Sequence, residues 1–513
     1  MMAARLFIII IFLVLSFAQS APADEIERGK AVYDKKCWWC HGAEGAGDGP
    51  AAERLNPPPR DFTLGLYKWK STPFDEYTPS DDDFVRMIAG ESAHKKISGW
   101  YGMSGTSMPG WGDLLSKDEV NSLAAYIKSL AELEKPEKPS IDTSGKVAVS
   151  KESIERGRRI FADACVECHG KEGRGDATKK LRDDWGARTW PRDLTKGWSF
   201  RAGSRPEDIY TRVTAGIAGT QMPSFADPAS KKTMTEAQRW DVANYAASLD
   251  EPRRKPKPES VLKAVKVDGS LPSVPDDSAW DRAALANYYL FPQIIAGEKA
   301  YTPSLDSISA KALYNDTEIA FLLEWDDPTN SMPWDPKARE IADGEPFPDS
   351  VAIQLPAEIK GAERPYFGMG GGMGGAKPVV IWHWQSAIEA GAGQSMKTLI
   401  AKGPERITIN EDHALTASGR YYDGRWRVIM KAPLKPATGP IIEEGRFIPI
   451  AFAAWDGSNQ EHKGRHAMTG WEWATLQKEA SQPSYAWPLI IAIFVLAAEL
   501  LWLRSARRGR QGC

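Results

Sequence analysis

Apolar residues recur at helical spacing in two stretches of the first half of the chain. In the closing part of the first stretch Val120, Leu123, Ala124 and Ile127 repeat at the intervals of an amphipathic helix. Both stretches open and close on such a pattern, which predicts two small, all-α domains. Beyond residue 260 the pattern changes to short apolar runs separated by Gly, Pro and Asp, which indicates a β-sandwich.

Apolar runs also stand at both ends of the chain. Residues 1–23 combine Arg5, an apolar core and small residues, as in a secretory signal peptide cleaved after Ser20 or Ala23. An uncleaved anchor helix is the alternative. Residues 485–503 form an apolar run about one hydrocarbon thickness long, and the tail 504–513 is basic. The positive-inside rule then predicts a single-pass inner-membrane protein with a transmembrane helix, a cytoplasmic C-terminus and a periplasmic body.

Two segments rich in Pro and charge divide the chain and are expected to act as extended spacers. The predicted domains are 24–133, 150–249 and 261–478, joined by the linkers 134–149 and 250–260. The first two domains are an internal repeat. "IERGKAVYDKKCWWCHG" aligns with "IERGRRIFADACVECHG", and "GTSMPGW" aligns with "GTQMPSF". The two copies are therefore expected to share one fold.

The repeated motif CxxCH is the main chemical signal. Its residues are Cys37, Cys40 and His41 in the first copy and Cys165, Cys168 and His169 in the second. A structural zinc ion is usually bound by four N or S ligands, which neither domain supplies. A redox dithiol requires neither the histidine nor the repeat. Two thiols on one helical turn can instead bond two vinyl groups of a porphyrin, with the histidine on the iron. The sequence predicts two covalent haem c groups.

Each haem iron needs a sixth ligand or an open site. Met108 and Met222 are the candidates, since both occur in a matched "GT-x-MP" segment before the last helix of their copy. A thioether ligand raises the haem potential and favours electron transfer, whereas core packing is the alternative role for a methionine. Arg60 and Arg192, in the repeated "PRD(F/L)T", are candidate partners of haem propionates. A loop cap by the aspartate that follows each arginine is the alternative.

The order of opening helix, CxxCH, late MP loop and closing helix resembles class I cytochromes c. The resemblance covers both helical domains and rests on a highly specific motif. It implies two small helical folds, each with one partly exposed haem edge.

The third domain carries a different resemblance. Its segments are "ALYNDTEIAFLLEWDDPT", "FGMGGGMGG", "VVIWHWQ", "YDGRWRVIMKAPL" and "AAWDGSNQEHKGRHAMTGW". In this order they resemble the haem b-binding γ subunit of ethylbenzene dehydrogenase and its relatives, over residues 265–475. Those relatives include γ subunits of dimethyl sulfide dehydrogenase, selenate and chlorate reductases and nitrite oxidoreductases. The resemblance implies a β-sandwich that holds one non-covalent haem b.

In that family the haem b iron lies between a Met and, usually, a Lys. The Met of the "MG" turn corresponds to Met369, with Met373 as a near competitor. The late segment that carries the Lys reads "GRHAM" here, so His466 stands where Lys is expected. Imidazole is a good haem ligand, which makes a Met/His pair chemically reasonable. His462 is the second candidate, and a surface histidine is the alternative.

These features together predict a membrane-anchored electron-transfer subunit with no catalytic residues of its own. The resemblance implies a molybdopterin catalytic subunit and an iron–sulfur subunit as partners, with nitrite or nitrate chemistry favoured. A soluble cytochrome c or a membrane redox protein would exchange electrons with the c-type domains. One alternative is a stand-alone membrane cytochrome feeding a quinol-oxidising or terminal oxidase complex, and another is a haem peroxidase. The formal net charge of −3 gives no indication of nucleic-acid binding.

Overall fold

The computed structural model describes residues 21–90, 106–176, 180–258, 260–295, 297–334, 336–361, 363–365, 377–387, 395–403, 406–410, 414–477 and 486–509. Most of the predicted signal peptide, residues 1–20, lies outside these ranges. The helices are α1 Ala21–Lys36, α2 Trp38–His41, α3 Asp81–Ala89, α4 Lys117–Ser129, α5 Lys151–Ala164, α6 Val166–His169, α7 Pro206–Ala215, α8 Glu236–Ser248, α9 Pro336–Ile341 and α10 Ala486–Gly509.

The strands begin only in the second repeat and fill the third domain. They are β1 Leu181–Arg182, β2 Arg188–Thr189, β3 Val261–Lys266, β4 Ala286–Tyr289, β5 Phe291–Pro292, β6 Ser307–Tyr314, β7 Glu318–Asp326, β8 Ser350–Pro356, β9 Val379–Gln385, β10 Ser395–Ala401, β11 Ile407–Asn410, β12 Thr416–Tyr422, β13 Arg425–Pro433, β14 Phe447–Trp455, β15 Ala467–Met468 and β16 Glu472–Leu476.

Each repeat is built on the crossing of its first and last long helices, α1 with α4 and α5 with α8. The crossing is close because a glycine lies at the contact in both copies. A Cβ atom on Gly29 would lie 2.0 Å from the carbonyl oxygen of Ser122, and one on Gly157 would lie 2.0 Å from that of Asp241. Any larger residue would push the helices apart. The equivalence of the two positions explains why "ERG" recurs in both opening helices.

The second repeat departs from the all-α expectation by one short hairpin. β1 and β2 pair antiparallel, with Leu181 opposite Thr189. The turn is held by Asp183, whose Oδ1 accepts hydrogen bonds from the backbone N–H groups of Trp185 and Ala187 at 3.2 and 2.9 Å. Such side-chain-to-backbone bonds favour turns over helix. The hairpin lies where the first repeat has no strand among its described residues.

The third domain is a sandwich of two sheet halves that share β14. One half runs β11–β10–β9–β8–β14, and the other continues through β16, β3, β6, β7, β13 and β12. Indole and phenyl rings from the two halves meet in the core. The ring centroids of Phe321 and Trp382 are 6.1 Å apart, and those of Trp384 and Trp426 are 5.2 Å apart. The alternating apolar runs of the sequence therefore supply the two inner faces, as a sandwich requires.

The predicted spacers are packed against the domains they join. In residues 134–149, the N–H of Ile141 donates to the carbonyl of Ser71 at 2.8 Å, and Val147 accepts from Asn244 of the second repeat at 3.2 Å. In residues 250–260, Glu251 pairs with Arg174 at 3.2 Å and with Arg425 of the sandwich at 3.2 Å. The proline and charge content predicted extended spacers. The charges instead find partners on both neighbours.

The two repeats also contact each other directly. Lys68 of the first pairs with Asp183 of the second at 2.5 Å, and both side chains are at most 10% exposed. Arg86 pairs with Asp208 at 3.2 Å. An ion pair that is buried on both sides holds its geometry better than a solvated one. The helical domains therefore dock in a fixed arrangement.

The chain ends in α10, where apolar side chains such as Phe494 and Trp502 are exposed. A membrane span needs about 20 consecutive apolar residues. Within the described part of the chain, none of the helices combines the length and apolar character needed to cross a membrane. The predicted transmembrane helix over residues 485–503, and the single-pass topology built on it, are therefore not supported.

Candidate functional site

The two CxxCH motifs adopt the same conformation. In the first, the carbonyl of Cys37 accepts the N–H groups of Cys40 and His41 at 3.1 and 2.9 Å; in the second, Cys165 accepts those of Cys168 and His169 at the same distances. One helical turn, α2 or α6, thus brings two free thiols and an imidazole together. Burial raises the pKa of both Cys37 and Cys165 to about 12. Protonated thiols of this kind are poor metal ligands and poor redox centres.

The repeated "PRD(F/L)T" loops orient the two histidine rings. Nδ1 of His41 lies 3.0 Å from the carbonyl oxygen of Arg60, and Nδ1 of His169 lies 3.1 Å from that of Arg192. Burial lowers the pKa of both imidazoles, so the rings are neutral, with Nδ1–H as the donor. Nε2 is then the nitrogen left to bind iron. This is the outer-sphere bond that fixes a metal-binding histidine.

The aspartate of each loop forms the cap that the sequence offered as an alternative. Oδ1 of Asp61 accepts from the N–H and hydroxyl of Thr63 at 2.9 and 2.6 Å. Asp193 does the same with Thr195 at 2.9 and 2.7 Å. The cap shapes the loop, and the arginine's own carbonyl holds the histidine. The motif therefore supplies both the aspartate cap and the carbonyl that orients the histidine. The contact of its arginine with a haem propionate remains a prediction.

The two "GT-x-MP" segments also have matching turns. The N–H of Met108 donates to the hydroxyl of Thr106 at 3.2 Å, and that of Met222 donates to Thr220 at 3.2 Å. Both methionine side chains line the same cavity as the histidine of their own repeat. The threonine turn therefore fixes the backbone from which each thioether reaches the cavity.

One continuous cavity of about 2110 Å³ contains both candidate centres. Its walls include both CxxCH motifs, both methionines and, from the sandwich, residues 289–292 and 301–307. Between the two halves the guanidinium of Arg60 lies over the indole of Trp185, with 4.1 Å from Cζ to the ring centroid. A cavity of this size, lined by two Cys–Cys–His sets and two methionines, has room for two porphyrins. The residues present therefore fit two haem c groups.

Cationic groups of the cavity fit haem propionates. Arg60 and Arg192, predicted from the repeat, line it, and burial lowers the pKa of both. Sequence reasoning missed Arg201, which lines the same cavity and whose buried Nε atom has no hydrogen-bond partner among the described residues. Burial, together with the charges of Arg192 and Arg60, lowers the pKa of Arg201 to about 9. A cation buried beside other cations indicates an absent anion.

A signal for Arg201 was available in the repeat. "YKWK" in the first copy aligns with "WSFR" in the second if one residue is inserted, which places Lys70 opposite Arg201. Burial lowers the pKa of Lys70 to about 8, but its ammonium donates to the carbonyls of Thr72 at 3.1 Å and of Pro73, and Lys70 is not among the described residues that line the cavity. The basic character is shared although the residue type differs.

The haem b candidates of the third domain are only partly described. Met369 and Met373 lie outside the described residues. His466 is 8% exposed and packs 4.5 Å from the indole of Trp455. Its Nδ1 lies 3.0 Å from the carbonyl of Lys463, and burial lowers its pKa to about 4. His462 instead stacks on Phe347. His466 thus offers a neutral imidazole with Nε2 free, the form that binds iron.

Three regions of the chain match known protein families. Residues 26–131 match Cytochrome c, and residues 152–245 match Cytochrome C oxidase, cbb3-type, subunit III. Residues 277–402 match Ethylbenzene dehydrogenase. The chain is therefore a multidomain electron-transport protein with cytochrome c domains and a large β-sheet domain, part of which matches the ethylbenzene dehydrogenase model. The cytochrome c domains imply covalent haem c.

Curated relatives fall into two groups. The γ subunit of chlorate reductase from Ideonella dechloratans is 28% identical over 43% of this chain and 86% of its own length. A heme subunit ascribed to respiratory nitrate reductase of Haloferax mediterranei is 25% identical over 39% of this chain and 67% of its own. The cbb3-type cytochrome c oxidase subunit FixP of Sinorhizobium medicae is 26% identical to this chain. The match covers 40% of this chain and 57% of that subunit.

Among solved structures, a chain of the Kuenenia stuttgartiensis reducing HAO-like protein complex is 37% identical. The match covers 44% of this chain and 96% of that chain, with a TM-score of 0.39.

Replacing Met222 with alanine is expected to remove the thioether ligand from the second haem. The intensity of the long-wavelength Met–Fe(III) charge-transfer band of the oxidised protein should fall by about half, because Met108 would still give the band of the first haem. The potential of the second haem should also drop. Met430, fully buried in the sandwich core, gives the matched control: Met430→Leu should leave the band intact. An unchanged band in Met222→Ala would exclude Met222 as the ligand.

Proposed function

We propose that this chain is an electron-transfer subunit of an oxidoreductase complex, which relays electrons through its haem groups and performs no substrate chemistry itself. The observation that carries the proposal is that both Cys–Cys–His sets, each with the methionine of its own repeat, line one continuous cavity. Bound haem would supply the one-electron redox couple. His41 with Met108, and His169 with Met222, are the residues that would hold the two irons, and an iron held by both would have no open position for a substrate.

The protein's own residues set the conditions for that relay. The loop carbonyls at Arg60 and Arg192 fix the imidazole orientation, and the buried arginines place positive charge where propionates would lie. The ion pair between Lys68 and Asp183 holds the two domains in register, with Trp185 beside it in the cavity wall. A rigid arrangement keeps the separation between two redox centres constant. Transfer between them then needs no domain motion.

The third domain supports a particular kind of partner. Its similarity to the chlorate reductase γ subunit and to a nitrate reductase heme subunit points to a complex with a molybdopterin catalytic subunit and an iron–sulfur subunit. Nitrite or nitrate is the favoured substrate class of that complex. In this arrangement the sandwich exchanges electrons with the iron–sulfur subunit, and the cytochrome c domains exchange them with a soluble cytochrome or another respiratory protein.

The test is purification of the native protein under gentle conditions, followed by mass spectrometry and molybdenum analysis. We expect a large molybdenum-containing subunit and an iron–sulfur subunit to copurify with the chain. Isolation as a lone haem protein would contradict the proposed complex. Copurification with an oxidase would instead favour the second candidate, a cytochrome feeding a terminal oxidase, which the match of residues 152–245 to a cbb3-type subunit supports.

We further propose that the sandwich binds one haem b with His466 as a ligand and Met369 opposite. The pyridine haemochrome spectrum of the purified protein is then expected to show haem c and haem b at about two to one. His466→Ala should lose the b component and keep the c component. His462→Ala is the matched control, because this histidine stacks on Phe347 and should leave both components unchanged. A wild-type spectrum of pure c type would contradict the haem b site.

A further inference from the structure

Three buried aspartates meet at one end of the sandwich. Asp327 follows β7, Asp349 precedes β8 and Asp456 follows β14, so they come from both sheet halves. One carboxylate oxygen from each lies within 4.8 Å of the other two. All three side chains are at most 1% exposed. Three carboxylates in such a space are mutually repulsive unless a cation or protons neutralise them.

Two of the carboxylates are bonded to neutral donors. Asp349 accepts from the N–H groups of Ser331 and Gly457 at 2.7 and 2.9 Å and from the indole N–H of Trp426 at 3.0 Å. Asp456 accepts from the hydroxyl of Ser304 at 2.6 Å. These donors orient the carboxylates without supplying a compensating positive charge. The orientation is thus fixed, and the guanidinium of Arg188, which interacts electrostatically with Asp456, offsets at most one of the three negative charges.

The third carboxylate has an oxygen left over. Oδ1 of Asp327 accepts from the N–H of Thr329 at 3.0 Å, whereas Oδ2 is fully buried and has no hydrogen-bond partner in the described part of the chain. Burial raises the pKa of Asp327 well above its usual range, and the negative charges of Asp349 and Asp456 raise it further. In the described ranges, no ion pair with Lys, Arg or His reaches any of the three. A buried, unpaired carboxylate oxygen is costly and points to a missing partner.

We propose that Asp327, Asp349 and Asp456 bind one calcium ion that joins the two halves of the sandwich. An all-oxygen, carboxylate-rich set is typical of a hard cation. Ca²⁺ accepts about six to eight oxygen ligands in a flexible geometry, whereas Mg²⁺ demands a near-ideal octahedron and usually keeps several waters, so a fully buried carboxylate cluster favours Ca²⁺. A dication neutralises most of the three negative charges.

The position of the site links it to the docking of the second helical domain. Asp326, the residue before Asp327, pairs with Lys196 of that domain at 3.2 Å. The N–H of Asp327 donates to the carbonyl of Gly424 at 2.9 Å, and the neighbouring Asp423 carbonyl accepts from Arg174 at 3.3 Å. Calcium would hold Asp327 in place and with it both contacts to the cytochrome domain. This inference does not depend on the proposed electron-transfer role.

The test uses the full-length haem-loaded protein. Metal analysis after purification in calcium-containing buffer is expected to give about one calcium per chain beyond the haem iron. Treatment with EGTA should lower the thermal midpoint, and calcium chloride at about 100 times the Kd should restore it, a shift of roughly 5–10 °C. Magnesium chloride at the same concentration should restore little. An absence of bound calcium, together with a thermal midpoint that neither EGTA nor calcium changes, would overturn the proposal. The three carboxylates would then be neutralised by protons that they share.

Variants locate the effect. Asp327→Asn keeps the shape, removes one charge and is expected to abolish both the bound calcium and the calcium-dependent shift. Asp281→Asn, at an exposed position of the same domain, is the control and should keep both. A full calcium response in Asp327→Asn would place the ion elsewhere and overturn the assignment. If that variant fails to fold, the EGTA and calcium response of the unmodified protein still decides.

Discussion

Replacing Cys165 and Cys168 together with serine is expected to remove the second covalent haem and leave the first. The chain should then carry one covalent haem c instead of two, a loss of about half the covalent haem signal, because serine cannot form the thioether to a vinyl group. His169 and its carbonyl partner Arg192 remain, so the ligand set survives without its covalent anchor. Mass spectrometry of the denatured protein reads the number of attached haems directly.

The repeat provides a matched comparison for this experiment. The double change at Cys37 and Cys40 should remove one haem as well, and the two variants should differ in which potential disappears from a redox titration. Cys513→Ser, outside both motifs, should retain both haems. Two haems remaining in the Cys165/Cys168 variant would contradict the assignment of that motif.

Replacing Lys196 with methionine should strongly destabilise the junction between the second helical domain and the sandwich. The ammonium group is 9% exposed and pairs with Asp306 at 2.8 Å and Asp326 at 3.2 Å. Burial by itself lowers the pKa of Lys196, but the carboxylates of Asp306, Asp326 and Asp193 outweigh it and raise that pKa. The lysine is therefore held in its charged form by three anions.

Removing that charge leaves the anions without their shared partner. We expect a loss of about 3 kcal/mol, the lower end of the cost of breaking a buried ion pair, because Asp326 keeps Arg425 at 2.6 Å. Chemical denaturation measures the loss, and proteolysis within residues 250–260 should accelerate as the junction opens. Lys138→Ala breaks an exposed pair with Asp75 and should leave the stability almost unchanged. Equal effects of the two changes would contradict a structural role for the junction.

The haem c centres were predictable from sequence because their chemistry is local. Two thiols and an imidazole on one helical turn need only short-range backbone hydrogen bonds, and the repeat doubled the signal at Cys37 and Cys165. The sandwich was predictable as a class because short apolar runs separated by Gly, Pro and Asp are typical of strands and turns. Met108 and Met222 were found through the matched turn that precedes each of them. The ligand roles of these methionines remain predictions.

The relations between domains could not be read from the sequence. Proline and charge in residues 134–149 and 250–260 predicted extended spacers. Glu251 instead pairs with Arg174 of the second helical domain and with Arg425 of the sandwich. These partners are distant in sequence and become close only in the folded chain. The apolar run at 485–503 suggested a membrane span that the described residues do not support.

By itself, the sequence determined what each local segment can bind: a thioether-linked haem at each CxxCH, and a β-rich domain after residue 260. Only the tertiary structure decided that both haem sites share one cavity, that Arg201 lies in it, and that Asp327, Asp349 and Asp456 converge. The physical reason is distance along the chain. Hydrogen bonds within a turn are set by neighbouring residues, whereas burial and the charge around a carboxylate depend on elements that meet only after folding.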